Sequence, residues 1–139
     1  MNDELATLRD AWIAYQHSGH SAPLDDATFH ALDRIYDLTR EEPDSCWELI
    51  LEILAADDSV AVQETLSAGP LEDLLVEHGD AIIARVEQES ARNPHFRSLL
   101  GGVWKNAMSD KIWSRVCAVR DLSGWDTEEW EERNNFGHE

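Results

Sequence analysis

Apolar residues recur along this chain at intervals of three and four, and no alternating run is long enough to predict a strand. Leu5, Leu8, Trp12 and Tyr15 predict a first helix from about Asp3 to His17, with Asp3 and Glu4 at the positive end of its dipole. Ser18 to Pro23 reads as a loop. Phe29, Leu32, Ile35, Tyr36 and Leu38 form the apolar side of a second helix, from about Asp26 to Arg40. Glu41-Glu42-Pro43 ends it, because proline disfavours helical geometry in the residue before it. Asp44 is the expected cap of a third helix carrying Trp47, Leu49, Ile50, Ile53 and Leu54. Asp57-Asp58-Ser59 breaks that helix, and Ser59 caps a short one through Leu66.

The sharpest helix start is Gly69-Pro70-Leu71-Glu72-Asp73-Leu74-Leu75. Gly69 closes a turn, Pro70 takes the first helical position where its missing N–H costs nothing, and Glu72 and Asp73 complement the dipole. His78-Gly79 is expected to end this helix, and Asp80 to about Arg92 to form another, with Ile82, Ile83 and Val86 inward. Asn93-Pro94 punctuates again before a helix with Phe96, Leu99, Leu100, Val103 and Trp104 on its apolar side. Ser109-Asp110 caps one more, with Ile112, Trp113, Val116 and Cys117 inward. Eight or nine short helices joined by tight turns predict an all-α fold. The expected architecture is an irregular multi-helix bundle of stacked antiparallel pairs, or a short HEAT-like solenoid. No strict repeat period supports the solenoid.

Composition makes this one domain, spanning residues 1–139, with an acidic, tryptophan-bearing segment from about residue 121. A chain of this length buries enough surface to fold without a disulfide or metal. Six tryptophans, each able to bury on the order of 200 Å², argue against disorder. Met1-Asn2-Asp3-Glu4 has no secretory-signal pattern and no apolar run is long enough to span a membrane, so a cytoplasmic protein is expected. Cys46 and Cys117 lie in apolar helical patterns near Trp47 and Trp113, and are expected to be reduced.

Charge changes the picture most. With 29 acids against 11 bases the formal net charge is −18, which disfavours direct contact with nucleic acid or anionic membranes and favours a basic protein partner. The bland alternative is charge that only keeps the protein soluble. Residues 1–80 hold 19 acids and 3 bases, whereas residues 85–120 hold 3 acids and 7 bases. That middle stretch is expected to pair internally with the acidic helices, the alternative being a separate basic face.

Catalytic chemistry finds little to stand on. His17 and His20 lack the further ligands a zinc site needs, His78 at a helix end is explained by capping, and His95 follows Pro94 as a surface residue. No nucleophile elbow or phosphate cradle occurs, and adjacent acids such as Asp25-Asp26 point in different directions on a helix. No catalytic residue, cofactor or metal site is therefore expected. Gly101-Gly102 suits close approach of a neighbouring helix, or else a kink that opens a groove. Arg97 is expected to reach Glu72 or Asp73 and lock the two motif helices together, the alternative being an anion site. For recognition, Trp125-Asp126-Thr127-Glu128-Glu129-Trp130-Glu131-Glu132 combines aromatic anchors with dense charge. Its candidate partner-binding residues are Trp125, Asp126, Glu128, Glu129, Trp130, Glu131 and Glu132, unless both indoles only dock the segment on the body.

The strings Ala68-Gly69-Pro70-Leu71-Glu72-Asp73-Leu74-Leu75 with His78-Gly79, and Asn93-Pro94-His95-Phe96-Arg97-Ser98-Leu99-Leu100-Gly101-Gly102-Val103-Trp104 with Ile112-Trp113, carry a resemblance. Over roughly residues 45–120 the chain resembles a group of small bacterial proteins classed as a domain of unknown function. The resemblance implies a bacterial origin and a helical domain, with Gly69, Pro70, Glu72, Asp73, Arg97 and Trp104 as structural motif residues. It implies no activity. The leading expectation is thus a non-catalytic, acidic partner-binding protein, such as an immunity-type inhibitor of a basic bacterial protein, with homo-oligomerisation open. Its competitors are a nucleic-acid mimic, which needs carboxylates ordered along one face, and an enzyme, which needs three or more of Asp, Glu and His converging in one pocket.

Overall fold

The computed structural model describes residues 3–18 and 25–125. Among them the chain is helical and strand-free: α1 (Asp3–His17), α2 (Asp26–Glu41), α3 (Pro43–Ala56), α4 (Val60–Leu66), α5 (Glu72–Arg92), α6 (Pro94–Gly101) and α7 (Asp110–Val119), with a π-helical turn over Ser67–Leu71 between α4 and α5. One contiguous apolar core draws on every α-helix, from Leu5 and Leu8 of α1 to Ile112, Trp113 and Val116 of α7. The helix α5 is its hub, touching α2, α3, α6 and α7, while α1 reaches past its sequence neighbours to α3 and α4. Such long-range contacts define a multi-helix bundle rather than a solenoid, in which each unit meets only the next.

Helix starts follow local chemistry. Asp25 caps α2 by accepting from the Thr28 N–H at 2.7 Å, which holds its carboxyl below the usual range. The Asn93 side chain caps α6 by accepting from the His95 and Phe96 N–H groups, and the Ser109 hydroxyl caps α7 by accepting from Ile112. At α3 the cap position falls to Glu42, with Pro43 as the first helical residue, so Asp44 lies inside the first turn rather than at the cap. Ser59 precedes α4 as expected, but its hydroxyl makes no cap bond; Asp57 instead accepts from the Ser59 N–H at 2.9 Å.

Of two expected breaks, one is continuous helix and the other is a kink. Pro70 does not open a new helix but lies within the π turn, which carries the backbone from α4 into α5. A proline inside an α-helix removes a donor and crowds the carbonyl four residues back, and the wider π turn gives it room. At His78 the backbone leaves helical geometry (φ −134°, ψ 29°), so α5 is two helical stretches meeting across a kink where the break was expected. The His78 Nε2 donates to the Arg40 carbonyl at 2.9 Å, so His78 closes the end of α2 rather than of its own helix. Beside it, a Cβ on Gly79 would approach Ile112 to 3.1 Å, so α7 packs tightly against the kink.

The α6 helix stops at Gly101, short of the expected Trp104, and Gly102 caps it. The two glycines allow close approach, as expected, of the segment after α7 and, at Gly102, also of the π-helical turn, whose Ser67 Oγ would lie 2.5 Å from an added Cβ. A Cβ on Gly101 would lie 2.0 Å from the Asp121 carbonyl oxygen, and one on Gly102 would lie 2.4 Å from the Trp125 ring. Asp121 donates its N–H to the Arg97 carbonyl at 3.0 Å, and the Trp125 indole donates to the Ser98 carbonyl at 2.9 Å.

Candidate partner-binding surface

The second helix buries Ile35, Leu38 and Thr39 against the core, and that arc decides what its other side presents. At about 100° per residue, Asp26, Phe29, His30, Asp33, Tyr36, Asp37, Arg40 and Glu41 fall within an arc of roughly 140° on the opposite side. Phe29 and Tyr36, expected in the core, are 53% and 55% exposed. They stand two turns apart along one edge of this outer face. Beside them run Asp26, Asp33, Asp37 and Glu41, none of which makes an ion pair among the described residues. The successive steps from Asp33 to Asp37 to Glu41 place like charges at i,i+4, about 6 Å apart along the axis, an arrangement that costs the helix a few tenths of a kcal/mol per pair.

Elsewhere the bundle neutralises its acids where it can. Arg34 bridges Glu4 and Glu42, Arg85 reaches Asp44 at 2.7 Å, and Arg115 pairs with Glu87. Arg92 pairs with Glu89 and Lys105 with Asp110, so the arginines and lysines of the basic middle stretch pair mostly within it and not, as expected, with the acidic helices, to which Arg85–Asp44 is the one such bridge among the described residues. Arg40 and Arg120 lie over rings instead, Arg40 5.5 Å from the Tyr36 ring centre on the outer face of α2 and Arg120 5.0 Å from that of Trp113. The acidic field continues onto the start of α5. Asp73 is half-buried, and burial, followed by the charge of Glu77 one turn on, pushes its carboxyl above the usual range.

The motif residues are structural in their contacts. Glu72 is almost fully buried and accepts the Trp104 backbone N–H at 2.9 Å and the Asn106 side-chain amide at 3.0 Å, clamping the loop after α6 onto α5. Burial raises its pKa against the opposing pull of those two bonds. Asn106 has a positive φ of 49°, a conformation asparagine tolerates better than most residues. Arg97 does not reach Glu72 or Asp73; it donates to the Ser90 carbonyl at 2.8 Å. The lock between the two motifs exists, but Trp104 and Asn106 supply it. Gly69 faces Trp12, and Pro70 is buried in the π turn.

Of the expected tail residues, Trp125 is half-buried on the glycine pair, which is the docking alternative. Asp126, Glu128, Glu129, Trp130, Glu131 and Glu132 lie outside the described residues. Both cysteines are free thiols; burial pushes that of Cys46 up to about 11 and raises that of Cys117. His17 bonds Asp57 at 2.6 Å and His95 lies 3.5 Å from Asp58. No cluster of metal-ligating side chains occurs among the described residues.

A cleft of about 460 Å³ opens at the α5 kink, lined by Glu77, His78, Asp80 and Ser109 with apolar neighbours. It assembles three residues of the kinds acid–base chemistry uses. They follow one another on a single helix, however, and the His78 Nε2 proton is committed to the Arg40 carbonyl. Among the described residues no helix is long and apolar enough to cross a membrane.

Comparison with known proteins adds one match: residues 20–124 fit the model of a family of unknown function (DUF6869). No curated protein and no solved structure matches the chain.

Proposed function

Since the chain belongs to the DUF6869 family of unknown function, from its fold and charge we propose that it is a non-catalytic binding protein whose basic protein partner docks on the outer face of α2. The observation that carries this reading is the unneutralised row of Asp26, Asp33, Asp37 and Glu41 beside the exposed rings of Phe29 and Tyr36. Exposed aromatics supply anchoring area, and carboxylates steer a cationic partner to them. An immunity-type inhibitor that covers the working surface of a basic bacterial protein fits this description. The acidic run from Asp126 to Glu132 adds charge of the same sign, and two free thiols suit a reducing cytoplasm.

A second reading, nucleic-acid mimicry, draws on the regular steps from Asp33 to Asp37 to Glu41. Under it the carboxylates alone carry binding and the rings are bystanders. The test measures binding of basic proteins encoded beside the gene to three forms: wild type, an Asp33→Asn/Asp37→Asn/Glu41→Gln variant, and a Phe29→Ser/Tyr36→Ser variant. The proposal expects one neighbour to bind in a salt-sensitive way and both variants to weaken it. Loss in the first variant alone points to mimicry. Equal binding to all three forms, or to none, overturns the α2 surface.

A further inference from the structure

Resting on the α2 reading, we infer that this face selects arginine over lysine in its partner, seating a guanidinium on the Tyr36 ring in the place Arg40 now holds. Arg40 is the internal evidence for such a seat. Its neighbours Asp37 and Glu41 carry charges it could pair with, yet its guanidinium lies over Tyr36 at 5.5 Å and makes no ion pair among the described residues. Arg9, Arg34, Arg85, Arg92 and Arg115 pair with carboxylates, whereas Arg120 also lies over a ring, 5.0 Å from the Trp113 centre, and Arg97 donates to the Ser90 carbonyl. The ring is 55% exposed, so a second cation can reach it, and Asp33 and Asp37 lie within one turn of it.

The preference follows from shape. A guanidinium is planar and weakly hydrated, so it can stack on a ring while its edge donates two parallel hydrogen bonds to a carboxylate. An ammonium holds its water more tightly and cannot lie flat. Arg40, tethered to the same helix, occupies the ring without engaging the carboxylates. A partner arginine arriving from outside the helix can do both, which gives the exchange its direction. Phe29, with His30 edge-on at 5.9 Å, supplies apolar contact two turns away.

The test compares affinities for octa-arginine and octa-lysine, which match in length and charge, by calorimetry in wild type, Tyr36→Leu, Arg40→Gln and Asp33→Asn/Asp37→Asn. The expected wild-type preference for arginine is about 2–5-fold, the size of an exposed cation–π contact. In Tyr36→Leu the ratio should fall to about one while octa-lysine binding is unchanged. In Arg40→Gln both peptides should bind more tightly and the ratio should widen. A wild-type ratio near one, or a ratio indifferent to Tyr36→Leu, overturns the arginine seat and leaves the α2 reading intact. Peptide binding that ignores Asp33→Asn/Asp37→Asn overturns the α2 reading itself.

Discussion

Replacing Gly101 with alanine should release the segment that follows α7. Gly101 is the last residue of α6, and by helix propensity alone alanine there would stabilise the protein by about 0.5–1 kcal/mol. Sterics oppose that gain. The new Cβ would lie 2.0 Å from the Asp121 carbonyl oxygen and 3.0 Å from Trp125 Cδ1. The oxygen is backbone and cannot rotate away, so the segment must move by more than an ångström. That movement breaks the bond from the Asp121 N–H to Arg97 and the bond from the Trp125 indole to Ser98, each about 1 kcal/mol net. It also strips part of the indole's burial, roughly another 1–2 kcal/mol for a half-buried ring. The net expectation is a loss of about 2–3 kcal/mol in urea unfolding. Hydrogen exchange gives a site-specific check, since the Asp121 amide should lose its protection in the variant while the α5 amides keep theirs. Trp125→Ala releases the same segment, so the double variant should cost little more than the worse single one. A neutral or stabilised Gly101→Ala protein, with the Asp121 amide still protected, would refute the docking geometry.

Three further expectations concern stability. Glu72→Ala leaves the Trp104 N–H and the Asn106 amide without their acceptor and should cost about 2–4 kcal/mol, whereas Glu72→Gln keeps one acceptor oxygen and should cost markedly less; equal losses in urea unfolding would refute the clamp. Stability should also pass through a maximum in mild acid. Glu72 and Asp73 have raised pKa values, so the penalty of burying their charge is relieved as pH falls through those values. Asp57 is held down to about 2 by His17 and the Ser59 N–H, so its contribution is complete above its unfolded value of 3.8 and is lost as pH falls toward 2. Melting temperature should therefore rise as pH falls through the raised Glu72 and Asp73 values and fall again below about pH 4, as Asp57 is protonated; a monotonic fall from neutrality would contradict it. Finally, raising NaCl from about 10 to 150 mM shortens the screening length from about 30 to 8 Å and should raise the melting temperature, because unneutralised acids outnumber ion pairs on α2. A flat or falling trend would mean that favourable ion pairs dominate.

The helical class was legible because apolar spacing, proline and capping residues act locally. Asp25, Asn93 and Ser109 cap where their chemistry says they should. Misreadings came where a local signal had more than one spatial solution. Pro70 marks a perturbed turn, but whether the chain breaks or widens into a π turn depends on the packing of Ser67 and Leu71, both fully buried. Apolar positions on α2 cover more of its circumference than α1, α3 and α5 can bury, and periodicity cannot say which are left over. The core takes Ile35 and Leu38, leaving Phe29 and Tyr36 outside. Glu72 was visible as a first-turn acid, yet its acceptor role depends on Trp104 and Asn106, more than thirty residues away. The Arg97 expectation failed for the same reason: several carbonyls and carboxylates lie within reach of a long side chain, and only the fold selects Ser90.

The most direct test of the α2 surface is a backbone-amide NMR titration of the full chain with octa-arginine at low and moderate salt. The largest shift changes are expected between Asp26 and Glu41, centred on Asp33, Tyr36 and Asp37, and should shrink as salt rises. Shifts centred on the cleft at Glu77 to Asp80, or spread evenly over every acidic helix, would contradict it.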